Sequence, residues 1–422
     1  MRRECLTDDS VNSEATPRRI VIAGGGAAGF FAAIACAEEG TGREVVLLEK
    51  GTHPLAKVRI SGGGRCNVTH ACFDPRELAA RYPRGGRALI APFQRFQPRD
   101  TVEWFESRGV KLKTEADGRM FPVTDSSQTI IDCLNRAATD AGVQIFTQRG
   151  IGRAAKNANG GFELTLTNGD TLACDRLLLA SGGCRTAPMG SLAESLGHTI
   201  EPPVPSLFTF HIDALWLREV PGLSVENVEA SVPGSKLRER GPLLVTHWGL
   251  SGPAILRLSA WGARALHDCG YDFPLHIDWL PALHAEQIAA ELQSRRATQP
   301  VRLVVNSPLA PLPARLWEQL VLAAGIARDT RWTTLPRAAL LALATQLKRT
   351  ELRVTGKSLN KEEFVTCGGV RLREVDFKTM ESRICPGLFF AGEILDIDGI
   401  TGGFNFQAAW TTGWIAGHAL VS

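Results

Sequence analysis

The chain lacks several features that would place it in a class of protein at once. Its ten cysteines include no C-x-x-C pair and no metal-ligand spacing, so neither a disulfide framework nor a metal site is predicted, and reduced thiols indicate the cytoplasm. The net charge is only +3 over 422 residues, which demands no polyanionic partner. Internal repeats and low-complexity blocks are also missing. We therefore expect an ordinary globular, cytoplasmic protein of two or three domains.

A long hydrophobic span is likewise missing. Residues 20–37 carry no charge, but four glycines interrupt them: Gly24, Gly25, Gly26 and Gly29. Glycine is unfavourable inside a helix, and a membrane-spanning helix needs about 20 predominantly apolar residues. The stretch is better explained by a strand, a glycine turn and a buried helix, so no membrane association is predicted. We interpret residues 1–17 as a polar, mobile tail.

The first recognisable motif is a glycine turn at residues 24–29, which follows an apolar strand and leads through a helix to a second one. Residues 19–23 and 44–48 are typical of buried parallel strands, and residues 30–39 predict the helix between them. The turn matches G-x-G-x-x-G, in which glycines allow a tight turn and close approach to a pyrophosphate. An acid follows the second strand, where it binds the hydroxyls of an unphosphorylated ribose, which favours FAD or NAD over NADP. The predicted contacts are Gly24, Gly26, Ala27, Ala28, Gly29, Glu49 and Lys50.

A second glycine cluster occupies residues 57–69. Three consecutive glycines between polar side chains suit a loop that lies close to a ligand, with backbone N–H groups and an arginine facing phosphate or the flavin edge. A flexible surface turn is the alternative interpretation. The predicted contacts are Lys57, Ser61, Gly63, Gly64, Arg65, Cys66 and Asn67.

Two later strands end in small or acidic residues. Residues 161–174 predict a hairpin, residues 176–183 a returning apolar strand, and residues 387–393 another strand that ends in an acid. Residues 408–420 predict a helix, whose N-terminus would stabilise an anionic reduced flavin. FAD is therefore the predicted cofactor. The predicted contacts are Ser181, Gly182, Gly392, Glu393, Asp396, Gly402, Gly403, Phe404, Asn405 and Phe406.

Several segments together resemble the BaiN/YhiN-type (RdsA-like) flavoproteins. They are GGGAAG at 24–29, SGGGRCNVTH at 61–70, THWGLSGP at 246–253, and GGVRLREVDFKTMESR with GEILDIDGITGGFNFQ within 368–407. The resemblance implies an α/β fold with a glutathione-reductase-like, FAD-binding Rossmann domain that an inserted substrate domain interrupts. It also implies an FAD-dependent oxidoreductase. Activities linked to this family are the reduction of conjugated C=C bonds in bile-acid enones, dihydrouridine formation in ribosomal RNA, and amine oxidation.

The domain boundaries are predicted from composition. A proline-rich break at residues 202–205 precedes short strand-like pieces, which give way to helical segments between residues 286 and 349. We place the inserted substrate domain, β-rich and then helical, at 201–365. The FAD-binding domain then consists of 18–200 and 366–422.

The predicted reaction is hydride transfer from reduced flavin to an activated C=C bond. Only one dinucleotide turn is evident, so NAD(P)H is expected to be a transient donor. His247 is the first candidate proton donor, because imidazole gains and loses a proton near neutral pH; a packed histidine beside Trp248 is the alternative. Cys367 is the second candidate, with a small buried hydrophobic role as its alternative.

A small molecule is the first predicted substrate, and ribosomal RNA is the alternative. One acid-free stretch combines arginines, which bind phosphates, with aromatic rings, which can stack on unpaired bases. Its members are Arg81, Arg84, Arg87, Arg95 and Arg99 with Tyr82, Phe93 and Phe96. A solvated loop or a docking patch for the NADPH phosphate explains the same residues. A flavin amine oxidase and a non-catalytic flavin-binding protein also stay open.

Overall fold

The computed structural model of the chain describes residues 18–40, 42–184, 187–358 and 365–422. The predicted tail, residues 1–17, lies outside the described residues. The strands that precede the inserted region are β1 (Arg18–Ala23), β2 (Arg43–Leu48), β3 (Thr69–His70), β4 (Leu112–Thr114), β5 (Arg119–Pro122), β6 (Gln144–Phe146), β7 (Ile151–Lys156), β8 (Phe162–Leu166), β9 (Thr171–Cys174), β10 (Arg176–Leu179) and β11 (Ile200–Ser206). The helices of the same part are α1 (Ala27–Glu39), α2 (Ala56–Gly64), α3 (Pro75–Ala79), α4 (Gly86–Arg95), α5 (Pro98–Glu106), α6 (Ser127–Asp140) and α7 (Ala187–Ser195).

The inserted region and the C-terminal part follow. The inserted strands are β12 (Phe210–Ile212), β13 (Ser224–Ser231), β14 (Arg238–Thr246), β15 (Gly249–Ser251), β16 (Phe273–Asp278) and β17 (Thr350–Lys357). The inserted helices are α8 (Pro253–Trp261), α9 (Ala263–Asp268), α10 (Ala285–Thr298), α11 (Ala314–Ala323) and α12 (Arg337–Lys348). The chain ends with β18 (Val365–Val370), β19 (Val375–Asp376), β20 (Glu381–Ser382), β21 (Leu388–Phe390) and α13 (Phe404–Val421). Short 3₁₀ turns lie at Leu215–Glu219, Val304–Asn306, Trp332–Thr334, Leu372–Glu374 and Gly392–Ile394.

The central sheet has the strand order β19-β20-β21-β10-β1-β2-β6. The five strands from β21 to β6 are parallel, and the two at the other edge are antiparallel. The apolar, β-branched composition of β1 follows from this position, because a central parallel strand is covered on both faces. The carboxyl ends of β1, β2, β10 and β21 consequently meet at one edge, where open α/β sheets bind their ligands.

Helices α1 and α13 pack closely and run in the same direction. A Cβ atom placed on Gly413 would lie 2.4 Å from the carbonyl oxygen of Ala28, and one on Gly417 would lie 2.6 Å from that of Ala32. Only glycine permits so close an approach of two backbones. With Gly413 level with Ala28, the first residue of α13 lies about eight residues before the level at which α1 begins. At 1.5 Å per residue, the N-terminus of α13 therefore extends about 12 Å beyond that of α1. The two helix N-termini therefore face the same edge of the sheet at different depths.

The inserted strands close into an antiparallel barrel in the order β12-β15-β14-β13-β16-β17. This barrel and helices α10 to α12 share a second hydrophobic core, which draws on residues from Phe208 to Val354 and contains three fully buried tryptophans. The first core gathers side chains from both chain ends. On these two cores we propose the domain division 18–200 with 366–422, and 201–365. The antiparallel pair β11–β18 connects the two.

The structure corrects several predicted elements. Helix α1 begins at Ala27 and helix α13 at Phe404, both earlier than predicted, because glycines next to the N-cap do not prevent the first helical turn. The predicted loop at 57–69 begins as helix α2, which departs from helical geometry at Ser61 to Gly63. Helices α8 and α9 interrupt the predicted run of short strands.

A buried histidine holds the antiparallel edge of the sheet. His198 Nε2 lies 2.8 Å from the hydroxyl of Ser382, and its Nδ1 lies 3.3 Å from a carboxylate oxygen of Glu374. The imidazole side chain is inaccessible to solvent. Burial lowers the pKa of His198, and the nearby Glu374 carboxylate opposes that shift. The neutral imidazole is therefore the form that the fold prefers.

This preference predicts a pH-dependent stability. The unfolded chain binds a proton at His198 more readily than the folded chain does, so the contribution of His198 is complete above about pH 6.5 and is lost as the pH falls through the lower folded pKa. The difference in free energy of unfolding between the wild type and His198→Asn should shrink from pH 7.5 to pH 5 in urea titrations. The exposed His53→Asn is the control for loss of an imidazole. A His198→Asn difference that stays constant with pH would contradict the prediction.

Candidate flavin-binding site

The first glycine turn joins β1 to α1 at the carboxyl edge of the sheet. A Cβ atom on Gly29 would lie 1.9 Å from the carbonyl oxygen of Gly24, so helix and turn are in contact there. A Cβ atom on Gly26, in contrast, would meet nothing within 4 Å. Gly26 is the N-cap of α1 and provides no side-chain cap. The first N–H groups of α1 therefore face open space, which is the arrangement that binds a pyrophosphate.

Glu49 lies beside this turn at the end of β2. One carboxylate oxygen accepts a hydrogen bond from the Gly25 N–H at 2.9 Å, and the other accepts one from the Gly51 N–H at 2.6 Å. The side chain is half-buried, whereas that of the next residue, Lys50, is exposed. The carboxylate is thus positioned at the turn, where it would contact a ribose.

The second glycine cluster presents backbone rather than side chains. Cβ atoms on Gly63 and Gly64 would meet nothing within 4 Å. Arg65 is engaged elsewhere: its guanidinium lies 2.7 Å from Glu115 and 4.0 Å above the ring of Phe121. Cys66 is fully buried, and burial raises its pKa to about 12. Any ligand contact from Arg65 or Cys66 in this conformation would come from the main chain.

A salt bridge brings the second cluster to the C-terminal segment. Lys57 Nζ lies 2.5 Å from one carboxylate oxygen of Glu393, although 336 positions separate them. The other carboxylate oxygen accepts a hydrogen bond from the Thr366 N–H at 2.8 Å. A Cβ on Gly183 would lie 3.0 Å from the same carboxylate, and the preceding Gly182 has a positive φ of 81° and open space where a Cβ would be. The predicted residues Lys57, Gly182 and Glu393 therefore lie around one cleft.

Helix α13 begins at the same cleft with an uncapped N-terminus. Its N-cap is Gly403, in the left-handed region at φ 90°. The amide of Asn67 donates to the carbonyl oxygen of Thr69 and accepts from the N–H of Gly403, both at 3.0 Å. A Cβ on Gly403 would lie 2.5 Å from that Thr69 oxygen, so strand β3 supports the helix start directly.

The side chains of the first turn of α13 contact neighbouring parts of the protein. Phe404 stacks on His70 at 4.7 Å, and Phe406 stacks on Trp410 at 5.6 Å. Asn405 exchanges two hydrogen bonds with the backbone of Gly399, at 2.8 and 2.9 Å. What α13 offers to a ligand is therefore its backbone N–H groups, together with the positive end of the helix dipole.

These features fit FAD. Two uncapped helix N-termini face one edge of the sheet, and they are offset by about 12 Å along the helix axes. This offset suits a pyrophosphate at α1 and a flavin ring at α13. Glu49 would lie beside the ribose hydroxyls, and Glu393 would lie beside the hydroxyls of the ribityl chain. The glycines with open space beside them are Gly26, Gly63, Gly64 and Gly182. We propose the predicted cofactor contacts on this basis, including Asp396, whose carboxylate lies 3.2 Å from Arg264 of the inserted domain.

The two catalytic candidates have very different surroundings. His247 is exposed at the turn between β14 and β15 and lines a recess of about 300 Å³ with His211, Arg218 and Trp248. It stays a prediction as a proton donor, since no residue of the glycine motifs lines that recess. Cys367 is fully buried, and burial raises its pKa to about 11. These surroundings favour the small buried hydrophobic role, in which Cys367 packs against Val204 and Ala263, and its catalytic role stays a prediction.

The stacking surface predicted for RNA is also corrected. Tyr82, Phe93 and Phe96 are at most 4% exposed, because they pack in the first core beneath α4 and α13. Arg84 is turned inward, where it pairs with Asp398. The other arginines of the stretch are exposed, but no aromatic ring of this set is available to stack on a base.

Sequence reasoning missed some residues at the cleft. Thr366 supports Glu393, and its hydroxyl would lie 2.2 Å from a Cβ on Gly183. His70 lies beside Gly402, with a buried Nδ1 that has no hydrogen-bond partner, and burial lowers its pKa. Thr366 stands outside the motifs, and His70 ends the motif at 61–70 without a predicted role, so only the fold shows that both lie at this site.

The described residues show neither a metal-binding cluster nor a membrane-spanning helix. Within the described ranges, no three acidic, histidine or cysteine side chains are grouped so that they could hold a metal ion. No helix in those same ranges combines the length and apolar character needed to cross a bilayer.

A family profile described as HI0933-like protein Rossmann domain matches residues 18–419. The chain belongs to this family. It is 30% identical over 409 residues to a 3-dehydro-bile acid delta(4,6)-reductase of Clostridium scindens, covering 95% of this chain and 98% of that protein. It is 32% identical over 411 residues to a ribosomal RNA dihydrouridine synthase of Escherichia coli, with the same coverage.

Solved structures share the fold of this HI0933-like protein. A 3-ketosteroid delta1-dehydrogenase of Sterolibacterium denitrificans matches with a TM-score of 0.52 at 12% identity, over 96% of this chain and 99% of that one. A 3-ketosteroid-delta4-(5alpha)-dehydrogenase of Rhodococcus jostii matches with a TM-score of 0.50 at 14% identity, over 98% and 99%. The predicted family and the α/β fold with a Rossmann-type FAD-binding domain are confirmed, and the protein is an FAD-dependent oxidoreductase, as predicted.

Proposed function

We propose that this HI0933-like protein reduces a C=C bond conjugated to a carbonyl group. The observation that supports this most directly is the pair of parallel helices α1 and α13, whose free N-termini suit the pyrophosphate and the flavin ring of FAD at one cleft. The two curated relatives agree on the reaction type, since an enone and a uracil ring both present a C=C bond next to a carbonyl. Bound FAD would supply the hydride.

The chain's own residues would bind and orient. The first turn of α1 would hold the pyrophosphate through backbone N–H groups, and Glu49 would accept from ribose hydroxyls. Glu393, which Lys57 and the Thr366 N–H hold in place, would accept from the ribityl chain. The positive end of α13 would favour negative charge at the adjacent ring edge. His247 is our proposed proton donor to the second carbon of the C=C bond, adjacent to the carbon that receives the hydride.

The substrate class is proposed as a small enone, with uridine in ribosomal RNA as the alternative. Burial of the aromatic side chains in the arginine-rich stretch removes the only RNA-stacking feature that the sequence suggested. The uridine alternative therefore rests on the 32% identity to a ribosomal RNA dihydrouridine synthase. We also propose a cytoplasmic location, which the free, mostly buried cysteines of the described chain support, and NAD(P)H as a transient donor.

The visible spectrum of the purified protein tests this proposal. The protein should be yellow, and NADPH added without oxygen should bleach the flavin band. Cyclohex-2-enone or a uridine-containing RNA hairpin should then restore the colour, and whichever restores it faster identifies the substrate class. A colourless protein that FAD cannot reconstitute would refute the proposal. Rapid reoxidation by oxygen alone, with neither acceptor active, would favour an oxidase instead.

A further inference from the structure

A buried ion pair joins the inserted domain to the loop that precedes α13. Asp398 is 0% exposed, and the guanidinium of Arg84 binds both of its carboxylate oxygens, with Nε at 2.5 Å from Oδ1. The hydroxyl of Ser206, at the end of β11, donates to the same carboxylate at 2.7 Å. Arg84 itself is only 15% exposed. A buried carboxylate is tolerated only with such partners.

Arg84 makes two more contacts, one from Nη2 to the hydroxyl of Ser206 in β11 at 3.3 Å and one to helix α8 of the inserted domain. Its Nη1 donates to the carbonyl oxygen of Ala260 at 2.6 Å, near the end of α8. One planar guanidinium therefore contacts three separate parts of the chain, which are the loop at Asp398, the connecting strand β11 and helix α8. A lysine could not reproduce this, since its ammonium is a single point charge on a flexible stem.

The position of the loop matters because it leads directly into α13. Residues 396–403 precede the helix start, and the backbones of Arg84 and Asp398 form an isolated antiparallel bridge. At Gly85, with φ 77°, a Cβ would lie 2.5 Å from the side chain of Ile397. A second, more exposed ion pair joins the same two parts of the chain, between Arg264 in α9 and Asp396 in the loop at 3.2 Å. The loop is therefore fixed on one side by the flavin-binding domain and on the other by the inserted domain.

We propose that Arg84 is a positioning residue that sets the inserted domain at a fixed distance from the N-terminus of α13. This inference rests on the proposed function, because it assigns the inserted domain the substrate and α13 the flavin. A substrate held on the inserted domain then meets the flavin edge in one geometry. Displacement of reacting groups by about 1 Å can reduce the rate about 100-fold, so loss of this link should affect hydride transfer far more than flavin binding.

The test compares Arg84→Lys with the neutral double variant Arg84→Gln/Asp398→Asn, which removes the buried charge along with its partner and so keeps a folded protein available. The matched control is Arg353→Gln, which breaks an exposed ion pair with Asp272 on the surface of the inserted domain. In the FAD-loaded enzyme reduced with dithionite, reoxidation by cyclohex-2-enone should slow by about tenfold or more in both Arg84 variants. Their FAD dissociation constants should stay within about threefold of wild type, and the control should match wild type in both measurements.

Calorimetry provides a readout that does not depend on turnover. The wild-type holoenzyme should unfold in one transition, and the Arg84 variants should show two, because the inserted domain loses its buried link to the rest. Equal reoxidation rates together with a single, unshifted transition would overturn the inference. If wild type binds FAD but reduces neither the enone nor the RNA hairpin, the proposed function fails, and the calorimetric comparison still decides whether Arg84 couples the domains.

Discussion

Replacing Gly26 by alanine is expected to lower the affinity for FAD sharply and to leave the fold intact. Gly26 has φ −91°, which alanine adopts without strain, and its Cβ would enter empty space. The stability cost is that of an alanine N-cap, about 1 kcal/mol. The new methyl group would stand where the pyrophosphate must approach α1. Each lost hydrogen bond to a charged group costs about 1.5–3 kcal/mol, so affinity for FAD should fall about 100-fold or more.

Fluorescence titration of the apoprotein with FAD measures this effect, and circular dichroism checks the fold. The control is Gly152→Ala in strand β7, whose Cβ would meet only the carbonyl oxygen of Thr165 at 3.5 Å, an ordinary contact. It should retain both stability and FAD affinity. Full FAD affinity in Gly26→Ala would mean that the pyrophosphate does not lie at α1.

Replacing Gly413 by alanine should instead damage the fold and the flavin site together. Its Cβ would lie 2.4 Å from the carbonyl oxygen of Ala28, and that backbone oxygen cannot rotate away as a flexible side chain can. Overpacking of this kind costs about 1–3 kcal/mol, and each kcal/mol lowers the Tm by about 2–4 °C. Separation of α13 from α1 would also change the offset of their N-termini, so FAD affinity should fall as well.

Thermal unfolding with and without FAD measures both effects of Gly413→Ala. Gly356→Ala is the matched control, because its Cβ in strand β17 would meet only the side chain of His211 at 3.8 Å. We expect the control to unfold like the wild type. If Gly413→Ala retained the wild-type Tm and FAD affinity, the close packing of α1 on α13 would not determine the geometry of the flavin site.

Local patterns were sufficient for much of this protein. The strand, glycine turn, helix and acid around Gly24 to Glu49 follow one another within the reach of a single βαβ unit, so their spacing specifies their geometry. The same holds for the hairpin of β8 and β9. The family resemblance depended on contiguous motifs, and the family match over 18–419 confirmed it.

Other assignments failed because side-chain direction is decided by packing. Arg84, Tyr82 and Phe93 have the composition of a nucleic-acid surface, but α13 and the inserted domain cover them. Arg65 belongs to a flavin-like motif, but its guanidinium contacts Glu115, so the contact that we propose for it comes from the main chain. A pattern records which residue types are adjacent along the chain, and it contains no information on which elements later cover them.

The sequence by itself determined the family, the dinucleotide turn with its acid, and the class of cofactor, because each depends on local motifs, and the residues of any one motif lie within about 30 positions of one another. Only the tertiary structure decided that α1 and α13 lie parallel with offset N-termini, that Lys57 meets Glu393, and that Arg84 joins the inserted domain to the loop before α13. These contacts join segments separated by up to several hundred positions. They exist only after the two hydrophobic cores have formed and brought those segments together.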